Sequence, residues 1–299
     1  MRAITAPDAA FADVPEPEPL HHEALVEVRA FSLNRGELRQ LQVREPGGVV
    51  GWDVAGVVAR AAADGSGPPE GARVVGLLPG GAWAQRAAVP TRDLAELPDA
   101  VSFEQAACLP VAGITALLSL ELIGSVVGRR VLVTAASGGV GRLALQLARD
   151  AGAEVTAFAR RTEGLVELGA DHVVSELGDE RYDAVIDGVG GPVLADAIRH
   201  AAPFATVVSF ASTVPDDVAF NARDLFGQCT TLRGLFVFLE LSRRGGAAPH
   251  LRRLARRVAD GRLDPQVDRA VAWDEAETTI AALRDGDIRG KAVLTVPAA

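Results

Sequence analysis

The 299-residue sequence predicts an α/β protein of two domains: a doubly wound parallel sheet, and a β-rich unit built from both chain ends. Three observations support this. Residues 1–100 run as short strands broken by glycine and proline turns. From residue 103, helical patterns alternate with short apolar runs, as they do when helices join parallel strands. The chain then closes on another strand, Lys291–Val296, which reads as a return to the first domain. The expected boundaries are 1–108 completed by 262–299 for the β-rich domain, and 109–261 for the sheet domain.

In the first domain, Leu25–Ala30 alternates apolar and polar residues, the signature of a half-buried strand. Val49–Val50 and Val54–Val58 are strand-like around glycines, and Asp64–Pro69 is a turn by composition. Arg73–Leu77 and Ala84–Val89 continue the pattern. Ser102 with Gln105 three residues on forms a capping box that opens the first helix of the second texture. Parallel strands are expected at Val131–Thr134, Glu154–Phe158, His172–Val174, Ala184–Asp187 and Ala205–Phe210. Thr231–Leu239, apolar on both faces, reads as an outer strand. If it lies at a sheet edge, its unpaired amides and carbonyls offer a template for a homodimer.

Composition excludes several classes. A net charge of −9 and a pI near 5.1 disfavour nucleic acid and anionic membranes. Neither a basic start followed by an apolar run nor an 18-residue apolar stretch occurs in the sequence, so a signal peptide and a membrane span are not expected. Cys108 and Cys229 form no disulfide framework, which suits a reducing cytoplasm. Two scattered cysteines and five scattered histidines assemble no recognisable metal motif.

The strongest local signal is Val131-Leu132-Val133-Thr134-Ala135-Ala136-Ser137-Gly138-Gly139-Val140-Gly141, a buried strand running through a glycine turn into a helix. Val140, Leu143, Ala144, Leu147 and Ala148 form one helical stripe. Against the dinucleotide pattern G-x-G-x-x-G, Ala136 stands at the first glycine while Gly138 and Gly141 hold the second and third. Ser137, Gly138, Gly139 and Val140 are thus candidates to cradle a pyrophosphate at the helix N-terminus, and Gly141 to let the helix pack closely. The following strand ends in Ala159-Arg160-Arg161, with no carboxylate where an NAD site holds the ribose 2′-hydroxyl. Arg160 and Arg161 suit a 2′-phosphate, so the expected cofactor is NADPH. The alternative is that both are solvated surface charge.

In the order of its motifs, the chain resembles the medium-chain dehydrogenase/reductase superfamily, and within it the zinc-free, zeta-crystallin-like quinone oxidoreductases. The resemblance rests on Ser32–Arg39, Gly51-Trp52-Asp53-Val54-Ala55-Gly56-Val57-Val58, Gly71–Gly76, Val111–Ala116 and Arg289-Gly290-Lys291-Ala292-Val293-Leu294, together with the glycine turn. It implies a GroES-like catalytic domain around a Rossmann NADPH domain, with the active site in the cleft. Trp52 stands where zinc-dependent relatives place a histidine, and the four-cysteine structural lobe is absent. Zinc alkoxide chemistry is therefore not expected. The implied reaction is hydride delivery to a quinone or an α,β-unsaturated ketone. Related enoyl thioester reductases use a tyrosine of the N-terminal domain, but the one tyrosine here is Tyr182, in the sheet domain, where it reads as structural.

Other candidates keep two readings. Asn34 could orient a carbonyl oxygen or the nicotinamide ribose, or be a turn residue. Thr115 could hold the nicotinamide carboxamide or cap a helix. Gly188 and Val189 could cover the adenosine, or simply form a tight turn. Phe210 and Ala211 follow a parallel strand, where ligands bind. Phe236 lies in the outer run, close to the expected nicotinamide end. Asp53 reads as support for its own turn, and the arginines of Leu251–Val258 as a solvated face. Rivals to the leading function are an enoyl reductase acting on a polyketide-like substrate, and a non-catalytic NADPH-binding or RNA-binding protein on the same fold.

Overall fold

The computed structural model describes residues 1–298; Ala299, the last residue of the expected first domain, lies outside them. The chain forms two units. One comprises Met1–Ile114 and the chain from Leu241 onward, the other Thr115–Glu240.

The first unit holds β1 (Arg2–Thr5), β2 (Ala10–Asp13), β3 (Glu23–Ser32), α1 (Arg35–Val43), β4 (Asp53–Arg60), β5 (Arg73–Leu77), β6 (Arg86–Pro90), β7 (Leu94–Glu96) and α2 (Phe103–Ala107). Ser102 caps α2, accepting from the Gln105 amide while the Gln105 side chain accepts from the Ser102 amide. A turn of π-helix, Leu109–Gly113, leads into α3 (Ile114–Ile123).

The second unit follows with β8 (Arg130–Val133), α4 (Gly139–Asp150), β9 (Glu154–Phe158), β10 (His172–Val174), β11 (Tyr182–Asp187), α5 (Gly191–Arg199), β12 (Ala201–Ser209), α6 (Ala222–Phe226), β13 (Thr231–Gly234) and α7 (Val237–Arg243), which runs past the boundary. The chain then completes the first unit with α8 (Ala248–Ala259), β14 (Val267–Ala272), α9 (Ala276–Asp285) and β15 (Lys291–Thr295).

In the first unit β15 inserts antiparallel beside β3, pairing Val293 with Ser32 and Thr295 with Ala30, and the sheet runs β14-β15-β3-β4-β5-β7, with β6 also on β3. One core joins both chain ends, since Phe31, Val54 and Trp83 pack in the same cluster as Trp273, Ile280 and Leu294. The return to this unit comes earlier than residue 262. Helix α8 buries Leu251, Leu254 and Ala255, and packs on β5 and β7. Its apolar stripe had a partner in the first unit, which periodicity alone does not reveal.

The second unit is a six-stranded sheet, β10-β9-β8-β11-β12-β13, with every neighbouring pair parallel. Counting from β8, that is the Rossmann order, and strand order reverses between β8 and β11, the usual site for a dinucleotide. Tyr182 is buried at the start of β11. The outer run is shorter than expected as a strand. Only Thr231–Gly234 pairs, at the sheet edge, and Val237 opens a helix. The reason is local: Val237 and Leu241, four residues apart, are buried on one face, while Phe236 and Leu239 are exposed.

Candidate cofactor site and a buried polar cluster

In the second unit the glycine turn sits between β8 and α4. Ala135 takes a left-handed φ of 51°, and Gly138 caps α4 in extended conformation, with no side chain bonded across the helix start. The glycines differ in role. A Cβ on Gly138 would meet only the Ala135 carbonyl oxygen, at 3.4 Å. A Cβ on Gly141 would lie 2.3 Å from that oxygen and 2.6 Å from Ala136 Cα. Gly141 is thus a packing glycine, and Gly138 leaves open backbone in front of the first-turn amides, which fits a pyrophosphate.

The strand ends beside the turn are tied together by Asp187. Its carboxylate accepts from Thr134 Oγ1 at 2.6 Å, Ser209 Oγ at 3.1 Å, and the amides of Val189 and Gly190, each at 3.2 Å. The Gly188 amide donates to Thr134 Oγ1 at 3.0 Å, so the ends of β8, β11 and β12 share one network. Burial raises the Asp187 carboxyl, against the pull of these donors. A Cβ on Gly188 would lie 2.4 Å from Phe210 Cζ, which accounts for a glycine there independently of any ligand. The structure therefore brings Gly188, Val189 and Phe210 together, with Ala211 exposed just beyond. Phe236 is 64% exposed and follows Leu235, whose amide donates to the Ser209 carbonyl at 2.8 Å. Thr115 is buried near the start of α3, where its carbonyl accepts from Ser119 Oγ. Arg160 and Arg161 are exposed just past β9. The Phe158 carbonyl, at the end of that strand, accepts from the Ala136 amide at 3.3 Å.

The first unit holds a separate polar cluster. Lys291 Nζ, almost fully buried, donates to the Leu33 carbonyl at 3.0 Å, to Asn34 Oδ1 at 2.6 Å and toward Asp53 Oδ2 at 3.4 Å. Asp53 also accepts from Ser32 Oγ, from Asn34 Nδ2 at 2.8 Å and, through Oδ1, from the Val111 amide of the π turn at 2.9 Å. Glu37 caps the Asn34 and Trp52 amides, both at 2.7 Å, and Asn34 Nδ2 reaches it at 3.4 Å. Burial first, then repulsion from Asp53, pushes the Glu37 carboxyl up to about 8, against the attraction of Lys291. Asp53 is therefore the hub of a buried network rather than support for its own turn. The amide orientation of Asn34 is set by a cation at its oxygen and a carboxylate at its nitrogen. Glu37 and Lys291 in the first unit, and Thr134 and Asp187 in the second, were each visible inside a motif, but the meeting of each pair is tertiary.

Trp52 lies over Gly36, where a Cβ would sit 2.4 Å from its ring. Among the described residues there is no group of three His, Cys, Asp or Glu side chains able to hold a metal ion. Cys108 is buried, and burial pushes its thiol up to about 12. Among the described residues, no helix is long and apolar enough to cross a membrane.

A Rossmann unit with this turn at its switch point, in a chain that also holds a GroES-like unit, defines the class of this protein as a two-domain α/β protein. A family model described as "Alcohol dehydrogenase GroES-like domain" matches residues 21–99, and one described as "Zinc-binding dehydrogenase" matches residues 165–294. The chain belongs to the medium-chain dehydrogenase/reductase superfamily and resembles its quinone oxidoreductase-like members. A chloroplast envelope quinone oxidoreductase homolog of Arabidopsis thaliana is 35% identical over 60% of this chain, and the match spans 63% of that protein's length. A spectinabilin polyketide synthase system protein of Streptomyces orinoci is 33% identical over 92% of this chain and 13% of its own. The structure of a quinone oxidoreductase from Coxiella burnetii superimposes with a TM-score of 0.85 at 28% identity, covering 99% of each chain.

Proposed function

We propose that this protein is an oxidoreductase that uses NADPH to reduce a quinone or an α,β-unsaturated ketone without a metal. The observation that carries this reading is the Ser137–Val140 turn, an uncapped helix start at the switch point of a parallel sheet. When bound, NADPH would supply the hydride, and solvent the proton that completes the reduced product. The backbone of Ser137, Gly138, Gly139 and Val140 holds the pyrophosphate, and Arg160 and Arg161 take the 2′-phosphate by charge-assisted hydrogen bonds. Gly188, Val189, Phe210 and Ala211 line the dinucleotide, with Thr115 and Phe236 toward its nicotinamide end. Asn34 contacts the acceptor carbonyl. Its 3.4 Å contact to Glu37 is the weaker of its two donations, so that hydrogen can be redirected to a substrate oxygen. The named activity of the Arabidopsis and Coxiella proteins supports the acceptor class.

A second reading, enoyl reduction on a polyketide-like substrate, is favoured by the match to the Streptomyces polyketide synthase system protein across nearly the whole chain. Both acceptors present a double bond conjugated to a carbonyl, so the demand on Asn34 is the same. We also propose a homodimer through β13, whose edge leaves Leu232 half-exposed.

The test is oxidation of NADPH and NADH with 1,4-benzoquinone and with a simple enone. At least a tenfold preference for NADPH is expected, abolished in Arg160→Ala/Arg161→Ala. Equal use of NADH, or a preference unchanged in the double variant, refutes the cofactor assignment. No turnover of either acceptor refutes the reaction class.

A further inference from the structure

Arg142 is a charged side chain that the helical stripe of α4 does not explain. It directly follows the packing glycine Gly141, and only 8% of it is exposed. Its guanidinium reaches two loops at once. Nε donates to the Ser137 carbonyl at 3.2 Å, within the glycine turn, and Nη2 donates to the Glu163 carbonyl at 3.1 Å, in the segment after β9. That segment is short and anchored at both ends. The Phe158 carbonyl accepts from Ala136, and Leu165 is fully buried with its amide on the Thr162 carbonyl. Gly164 lies against the guanidinium, since a Cβ there would be 3.8 Å from Nη1. Arg160 and Arg161 lie between these anchors.

We infer that Arg142 is a specificity-determining positioning residue. It ties the pyrophosphate turn to the 160–164 segment, so that the loop arginines are already placed for a 2′-phosphate. The inference rests on the NADPH reading above. A planar fork can hold two carbonyls on different loops in a fixed relation, which an ammonium on a flexible stem does poorly. Preorganisation of this kind raises affinity by removing the ordering cost from the binding step. Drawing the Ser137 carbonyl toward a guanidinium also keeps its negative end away from an arriving phosphate. A purely structural arginine would affect all nucleotides alike. A residue that positions the 160–164 segment affects those bearing a 2′-phosphate.

The test uses the full chain and two fragments lacking nicotinamide, 2′,5′-ADP and 5′-AMP, titrated calorimetrically. The wild type should bind 2′,5′-ADP more tightly. Arg142→Met should weaken 2′,5′-ADP at least tenfold and 5′-AMP less than threefold, with Arg142→Lys between, and should speed amide exchange in residues 160–165. If the wild type prefers 2′,5′-ADP but Arg142→Met leaves it unchanged, or weakens both fragments equally, the inference fails while the NADPH reading stands. If the wild type shows no preference, the NADPH reading itself fails and takes the inference with it. Should Arg142→Met not fold, Arg142→Lys decides alone: a selective loss of 2′,5′-ADP supports the tie, and wild-type binding of both fragments overturns it.

Discussion

Substituting alanine at Gly141 should cost both stability and NADPH binding, and at Gly138 NADPH binding alone, although both glycines belong to one motif. At Gly141 the new Cβ would fall 2.3 Å from the Ala135 carbonyl oxygen, and real Cβ atoms essentially never come within 3.0 Å, so the turn must retreat by about 0.7 Å. The atoms in the way are backbone, including Ala136 Cα, and Ala135 already holds a left-handed φ, so no side-chain rotation relieves the clash. Overpacking of this kind costs about 1–3 kcal/mol, whereas alanine's better helix propensity returns at most about 1 kcal/mol. The steric effect wins. Gly141→Ala should therefore lose about 1–2 kcal/mol in urea unfolding and also bind NADPH more weakly. At Gly138, φ is −86° and the one neighbour lies at 3.4 Å, an ordinary contact. Gly138→Ala should unfold within about 0.5 kcal/mol of the wild type, yet bind NADPH at least tenfold more weakly because the methyl stands on the phosphate approach. Urea denaturation and fluorescence titration with NADPH read both quantities. A Gly141→Ala variant as stable as wild type would refute the packing argument. Unaltered NADPH affinity in Gly138→Ala would refute the placement of the pyrophosphate.

Three further outcomes are expected. Glu37 carries a carboxyl at about 8 in the folded chain against 4.5 unfolded, so the native state binds the extra proton and stability should fall as pH rises from 4.5 through 8. Glu37→Gln should lose about 1–3 kcal/mol at pH 5, because one of two backbone donors loses its acceptor, and should flatten that decline; an identical pH slope in both proteins would exclude Glu37 as its source. Asp187→Ala should cost about 2–4 kcal/mol and weaken NADPH binding, since it strands the Val189 and Gly190 amides and two hydroxyls; thermal unfolding unchanged from wild type would contradict the network. Light scattering at micromolar concentration should give a dimer that Leu232→Lys shifts toward monomer, whereas a monomeric wild type would rule out assembly through β13.

The Rossmann half was legible because its signals are local. A strand, a turn that needs glycine and a helix stripe are written in consecutive residues, and Gly138 and Gly141 stood at their places despite Ala136 at the first glycine position. The β-rich unit and the return of the strand Lys291–Val296 to it were also readable, but its place beside β3 was not, because an alternating or apolar run does not name its pairing partner. The run at 231–239 was not, because an apolar stretch is equally compatible with strand and helix until its neighbours choose the buried face; here Val237 and Leu241 chose helix. Likewise the stripe of α8 showed that one face is buried but not which unit buries it. What only tertiary structure decided is where polar groups end up unsolvated. Asp53 looked like a turn residue. Yet Ser32, Asn34, Glu37, Asp53 and Lys291 lie up to 259 positions apart and meet in one buried network. Burial of a charge is tolerated only when specific partners satisfy it, and those partners are brought together by strand pairing rather than by sequence distance.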